Sequence, residues 1–318
     1  MSARIAMIGA GGVAARHVRV LTGLGARVVG VADPVPEAAA RLAADCGATA
    51  YPDADTLLDS EHVDAAYVCV PPFAHGAPER AVLARRLPLF VEKPLSADRE
   101  TAAALVPLVR EAGVVTGTGY HWRCLDTVQR AGELLAASPA RLVVGSWLDK
   151  VPPPAWWTDR ARSGGQVVEQ LTHVLDLARL LVGEVDAVWG AGSRAWSSPG
   201  DADDVTALAA RFGSGAVGTF TASSLLPAKH RASLETVSAD GLRLEVSEQQ
   251  LVVQRPGAEP EVFTPAVDGH EAVDREFLEA VAGERESTRA PYEQAWATHQ
   301  LGLAMAAAAA GGGVPVAP

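Results

Sequence analysis

Three groups of residues in this chain have types and spacings suited to chemistry. The first is Gly9-Ala10-Gly11-Gly12-Val13-Ala14, set directly between an apolar β run and a helical pattern. In such a turn Gly9 permits the tight bend, Gly11 lets the backbone come close to a pyrophosphate, and Ala14 lets the helix pack against the sheet. The phosphates then meet the positive end of the helix dipole. Asp33 ends the second β run, where a carboxylate accepts hydrogen bonds from both ribose hydroxyls. Its charge repels a 2′-phosphate and Pro34 beside it supplies no cation, so the pattern favours NAD, with NADP as the alternative; Arg41, two turns into the next helix, reads as a solvated helix arginine sooner than as a phosphate clamp. The second group is Glu92-Lys93-Pro94, at the end of the fifth β run. Ligands of an open parallel sheet bind beyond the carboxyl ends of its strands, which aims Lys93 at the crevice, and Pro94 pins the turn. A lone lysine is otherwise an ordinary surface charge. The third group lies in the glycine-led segment 164–176, where Glu169, His173 and Asp176 are spaced along one helical stripe. An imidazole with an ordinary pKa of about 6.5 suits a general base. A plain surface ion pair between Glu169 and His173 is the competing reading.

The elements that must position these residues follow from periodicity. The first 120 residues alternate strand and helix: strands at Arg4–Ile8, Arg27–Ala32, Ala48–Tyr51, Ala65–Val70, Leu89–Glu92 and Val114–Tyr120, with helices between them. That rotation predicts a parallel sheet built through right-handed crossovers. Ser96 is placed to cap the helix that runs to Ala112. After residue 121 a helix over 125–137, a strand over 141–148 and a Pro-rich loop with Trp156 and Trp157 precede one long helix, Gln166–Val182. Six β runs between Val185 and Gln254, joined by Gly213-Ser214-Gly215 and Asp240-Gly241, predict an open, mostly antiparallel sheet. Helices over 270–282 and 292–310 close the chain. The predicted fold class is therefore α/β, with a dinucleotide-binding domain over residues 1–121. A second domain covers 122–318, its last helix in position to pack back on the first.

Composition narrows the function. A net charge of −11 over 318 residues gives no electrostatic footprint for nucleic acid. Cys46, Cys69 and Cys124 are scattered and show no metal spacing, so no metal site is expected and buried free thiols are. Only three residues precede the first strand and the apolar stretch Leu301–Ala310 is too short for a bilayer, which together predict a cytoplasmic protein with no membrane partner.

Taken in order, these motifs resemble the glucose–fructose oxidoreductase / inositol dehydrogenase / MocA family, and the resemblance covers most of the chain. It implies a Rossmann domain followed by an α/β domain with a large open sheet, through which members often form dimers or tetramers. By resemblance, Lys93 hydrogen-bonds the reacting hydroxyl and His173 is the acid/base. Glu169 stands where the family usually has Asp, one methylene longer. Val70-Pro71-Pro72-Phe73-Ala74-His75 resembles the loop after the fourth strand, with Pro72 or Phe73 in place of the usual Asn, which by resemblance puts Pro71, Pro72 and His75 beside the cofactor together with Glu92; a plain helix-start histidine is the competing reading of His75. Gly119-Tyr120-His121-Trp122-Arg123 matches the segment bordering the substrate cavity, so Tyr120 and Arg123 are substrate contacts by resemblance. Trp157 is either an apolar wall for a sugar ring or a buried loop anchor.

The implied activity is hydride transfer between a nicotinamide and a secondary alcohol or ketone of a sugar, cyclitol or similar polyol. Two alternatives share the same parts: a glycosidase that oxidises its sugar transiently, and a dinucleotide-binding sensor without catalysis.

Overall fold

A computed structural model describes residues 2–195 and 200–311, which divide into two compact units: Met1–His121 with His270–Trp296, and Trp122–Gly269 with Ala297–Pro318. A single cut after residue 121 does not reproduce this division. The stretch His270–Trp296 returns to the first unit, tied there by contacts distant in sequence: Thr118 Oγ1 donates to the Ala290 carbonyl at 2.8 Å, and Thr288 Oγ1 to the Thr116 carbonyl at 2.7 Å.

In the first unit the chain runs β1 (Arg4–Ile8), α1 (Gly12–Gly23), β2 (Arg27–Ala32), α2 (Pro36–Cys46), β3 (Thr49–Tyr51), α3 (Ala54–Ser60), β4 (Ala65–Val68), α4 (Ala77–Ala84), β5 (Leu89–Val91), α5 (Arg99–Ala112) and β6 (Thr116–Thr118). The six strands pair in parallel, in the order β3-β2-β1-β4-β5-β6. The order reverses between β1 and β4, which is where a doubly wound sheet opens a crevice at its carboxyl edge. The inner strands β1, β4 and β5 are buried on both faces, as a parallel sheet covered by helices requires. Local signals explain the helix limits. Pro36 stands at the first position of α2, and Gly47 ends it at φ +67°. Ser96 does not cap α5: Asp98, the residue immediately before it, accepts from the Thr101 amide, while the Ser96 hydroxyl donates to the Asp98 carbonyl.

The second unit runs α6 (Asp126–Ala137), β7 (Ala140–Leu148), a short helix α7 (Arg160–Ser163), a π-helical turn at Val167–Leu171, α8 (Thr172–Val182), and then β8 (Val185–Ser193), β9 (Val205–Phe212), β10 (Val217–Ser223), β11 (Arg231–Ser238), β12 (Arg243–Ser247), β13 (Leu251–Gln254) and β14 (Glu261–Phe263). Strand order is β14-β13-β12-β11-β7-β10-β9-β8, antiparallel throughout except for β7 with β10. β14 is three residues long with an exposed Val262, too short to show alternation in the sequence. Helices α9 (Gly269–Val281) and α10 (Tyr292–Ala310) complete the chain. One face of the eight-stranded sheet is covered by α6 and α8, with Val143, Phe220, Leu234, Val174 and Leu175 in the core.

Candidate functional site

In the first unit Gly9 has φ +100°, and a Cβ there would lie 2.3 Å from the Cys69 carbonyl oxygen. Only glycine fits this point, where the carboxyl ends of β1 and β4 part. A Cβ at Gly11 or Gly12 would meet nothing within 4 Å, and both residues, like Val13, are exposed. The α1 N-terminus therefore faces open space with its first amides unobstructed by side chains, a cradle that fits a pyrophosphate. Ala14 is fully buried under the helix. Asp33 is built into the same turn: Oδ2 accepts from the Ala10 amide and Oδ1 from the Val35 amide, each at 2.8 Å. Two lone-pair directions stay available on a half-buried carboxylate for ribose hydroxyls.

Lys93 leaves the carboxyl end of β5 half-buried, and its bond to Pro94 is cis. Glu92 is not turned toward the cofactor edge, contrary to expectation. It is 6% exposed; Oε2 accepts from the Lys93 amide at 3.0 Å, and Oε1 receives His17 Nε2 at 2.9 Å and Arg16 Nη2 at 3.3 Å. Gly119 makes the space, since a Cβ there would overlap the Glu92 carboxylate at 2.2 Å. Behind it His17 Nδ1 meets both oxygens of Asp274, on α9, at 2.8 Å. Burial opposes charge on His17, but the Asp274 and Glu92 carboxylates outweigh it and lift its pKa to about 9. Burial likewise opposes ionisation of Glu92, and the hydrogen bond and charge of His17, with Arg16 and Lys93, hold it at about 2. Burial pushes the Asp274 carboxyl up in spite of His17. Cys69 is pushed well above its ordinary range, by burial first and then by Glu92 and Asp274, so its thiol is no nucleophile. Neither His17 nor Asp274 stood out in the sequence. Their partners lie 75 and 257 residues away from His17, beyond any local spacing.

The loop after β4 places Pro71 half-buried and Pro72 buried in a 3₁₀ turn, Pro72–Ala74. His75 is a buried residue at the start of α4: Nδ1 bonds Glu79 Oε1 at 2.5 Å, while Glu79 Oε2 accepts from the Gly76 amide at 2.6 Å. Its local role is to brace a helix start. Tyr120 is 1% exposed and packs in the core of the first unit, so the expected substrate contact is not made by its side chain.

In the second unit the segment carrying the third motif departs from one regular helix. The π-helical turn ends just before α8, and it inserts an extra residue between Glu169 and the regular register of His173. Glu169 is thereby turned to Trp157, whose Nε1 donates to Glu169 Oε2 at 2.9 Å. Trp157 is 2% exposed and anchors its loop, so of the two readings open in the sequence the buried anchor holds. Every residue of α8 from Thr172 to Arg179 is buried, which removes the expected polar stripe. His173 lies beside Trp147 of β7 (centroids 5.6 Å apart, planes 22°) and Trp122 (5.8 Å, 21°). Asp176 serves a different purpose. It holds Arg123 through two bonds of 2.7 Å and accepts from Thr298 Oγ1 at 2.7 Å. Arg123 is 5% exposed with its fork on Asp176, which corrects its expected contact with substrate.

A model of the oxidoreductase family with an NAD-binding Rossmann fold matches residues 3–120, and a model of the GFO/IDH/MocA C-terminal domain matches residues 137–246. The chain belongs to the Gfo/Idh/MocA family. Among relatives, it is 29% identical over 250 residues to scyllo-inositol 2-dehydrogenase (NAD(+)) of Bacillus subtilis strain 168, a match covering 75% of this chain and 72% of that one. It is 31% identical over 267 residues to an uncharacterized protein of Schizosaccharomyces pombe, covering 71% of this chain and 65% of that one. The fold matches that of levoglucosan dehydrogenase in complex with NADH and levoglucosan at a TM-score of 0.89, with 19% identity over 100% of this chain and 99% of the other. Membership in the Gfo/Idh/MocA family accounts for the paired architecture: a six-stranded parallel sheet and an open, mostly antiparallel one. Among the described residues no helix is long and apolar enough to cross a membrane.

Proposed function

We propose that this Gfo/Idh/MocA chain is an NAD(P)-dependent dehydrogenase or reductase acting on a secondary alcohol or ketone of a sugar, cyclitol or similar polyol. The observation that carries the reading is one carboxyl sheet edge that holds both the glycine cradle with Asp33 and the braced Lys93 turn. Relatives that act on inositols support the substrate class. The nicotinamide, when bound, supplies the hydride acceptor or donor. Gly9, Ala10, Gly11, Gly12, Val13 and Asp33 hold the dinucleotide, with Pro71, Pro72 and His75 forming the neighbouring loop. In the proposed chemistry Lys93 steadies the oxygen that loses its proton, and His173 takes that proton as general base. Glu169 orients a neighbouring hydroxyl while Trp157 fixes the arm that carries it.

Asp33 favours NAD over NADP, since a fixed carboxylate at the ribose repels a 2′-phosphate. We further propose a cytoplasmic homodimer or homotetramer assembled through the sheet face that carries Leu142, Val144 and Val217. These are exposed apolar side chains on neighbouring strands β7 and β10. No role with nucleic acid is proposed, given the net charge of −11. A screen of sugars and cyclitols read at the absorbance of reduced nicotinamide tests the activity. Turnover of at least one polyol, faster with NAD than with NADP, is the expected result. Release of an aglycone with no net reduced cofactor across the panel would replace the reading with a glycosidase.

A further inference from the structure

We propose that His17 is a positioning residue that ties the placement of Lys93 to the helix whose N-terminus faces the dinucleotide, through its paired contacts with Glu92 and Asp274. The proposal rests on the reading of Lys93 as the group that meets the substrate. It adds a mechanical link between cofactor and lysine that no motif reveals.

Three elements converge on one buried ring. His17 sits in the second turn of α1, the helix that opens at the glycine cradle. Its Nε2 bonds Glu92 at the end of β5, and its Nδ1 bonds Asp274 on α9. Glu92 spends its other oxygen on the backbone amide of Lys93. A shift of α1 is therefore passed through one imidazole and one carboxylate to the lysine's own peptide. Arg16, the residue before His17, reaches the same Glu92 oxygen at 3.3 Å and gives α1 a second hold.

The bonding pattern also fixes the proton state. An imidazole that meets carboxylates at both nitrogens donates to both only when doubly protonated; the neutral ring would set a lone pair against an anion. The ring is 1% exposed, so water offers no substitute partner. The other groups around it are the Tyr67 hydroxyl and Cys69 thiol from β4 and its end, Arg16 from α1, and Lys93. Tyr67, Phe90 and Phe277 supply aromatic walls, with the His17 ring 5.3 Å from Tyr67 and 5.2 Å from Phe90. One cation between two carboxylates in an apolar cage is a rigid joint, because moving any member strands a buried charge.

The test uses the whole chain with its lysines labelled by reductive ¹³C-methylation. In the wild type the Lys93 resonance shifts when NADH is added, and in His17→Gln that shift is lost while NADH affinity stays within threefold. A Lys93 resonance indifferent to NADH in the wild type, or one that shifts equally in His17→Gln, overturns the proposal whether or not any polyol is turned over. Should His17→Gln fail to fold, Asp274→Asn keeps the shape and removes one anion. There the ¹⁵N signals of the His17 ring lose the doubly protonated form at a pH at least one unit lower than in the wild type. A wild-type ring that is singly protonated at neutral pH contradicts the joint outright. With a substrate in hand, His17→Gln lowers kcat tenfold or more with KM changed less than threefold, and an unchanged kcat overturns the proposal; a wild type that turns over no polyol yet keeps the NADH-dependent Lys93 shift, lost in His17→Gln, counts against the dehydrogenase reading and leaves the joint standing.

Discussion

The backbone amide of Lys93 donates to Glu92, whose carboxylate runs on to His17 and from there to Asp274. This chain of charges makes stability depend on pH in a calculable direction. His17 is raised from 6.5 to about 9, so its contribution is complete below about 6.5 and is lost as the pH climbs through about 9. Glu92 is lowered from 4.5 to about 2, so its contribution is present above 4.5 and is lost as the pH falls through about 2. Asp274, pushed up by burial, acts in the same direction as His17. The melting temperature of the wild type should accordingly fall between pH 6.5 and 9.5 more steeply than that of His17→Gln; parallel curves would contradict the assignment. At this scale the sequence revealed the motif residues and hid their supports. Gly9, Asp33 and Lys93 belong to short patterns tied to strand ends. Glu92 reads as part of the lysine motif, but its orientation depends on His17 and on the missing side chain of Gly119. Arg123 read as a substrate contact because nothing local reveals a buried Asp176 53 residues away.

At the scale of elements, periodicity located nearly every strand and helix, with β1, β2 and α10 matching to the residue. The long helix over 166–182 is the instructive exception. Its hydrophobic spacing is helical, and a π-helical turn breaks the register without breaking the run. Such turns are favoured where side chains must be re-aimed, and here Glu169 is turned onto Trp157. The polar stripe inferred from Glu169, His173 and Asp176 fails for the same reason, together with the burial of α8 from Thr172 to Arg179. Within the second unit Arg123, Asp176, Thr298 and Arg179 form a continuous buried network that secures α8. Removing one member of such a pair leaves the other charged and dry. Arg123→Ala should destabilise the protein by ~3 kcal/mol, measured by denaturant unfolding. Arg123→Lys recovers the charge without the two-pronged fork and should fall between the two. A change below the scatter of surface substitutions would show that the network is not structural.

For the whole molecule, the fold class was legible because strand-helix alternation and its loss after residue 121 reflect two kinds of sheet. The division into units was less so, since His270–Trp296 carries helical signals that do not say which sheet it will cover. The open sheet of the second unit leaves Leu142, Val144 and Val217 at 41%, 37% and 55% exposure on adjacent strands. Such a patch on a sheet face favours self-association. Light scattering on a sizing column should give the mass of a dimer or tetramer for the wild type, and Val217→Glu with Val144→Glu should shift it toward 33.0 kDa. A wild type that elutes as a monomer at micromolar concentration would contradict that assembly.

The most direct measurement of the central claim is a comparison of kcat and NADH affinity in the wild type, Lys93→Ala and His173→Ala, on a polyol that the wild type oxidises. Both variants should lose ~10²-fold or more in kcat while binding NADH as the wild type does, since general acid–base and electrostatic assistance are each worth about that much. Either variant turning over at the wild-type rate would contradict the assignment of a lysine and a histidine to the reacting hydroxyl.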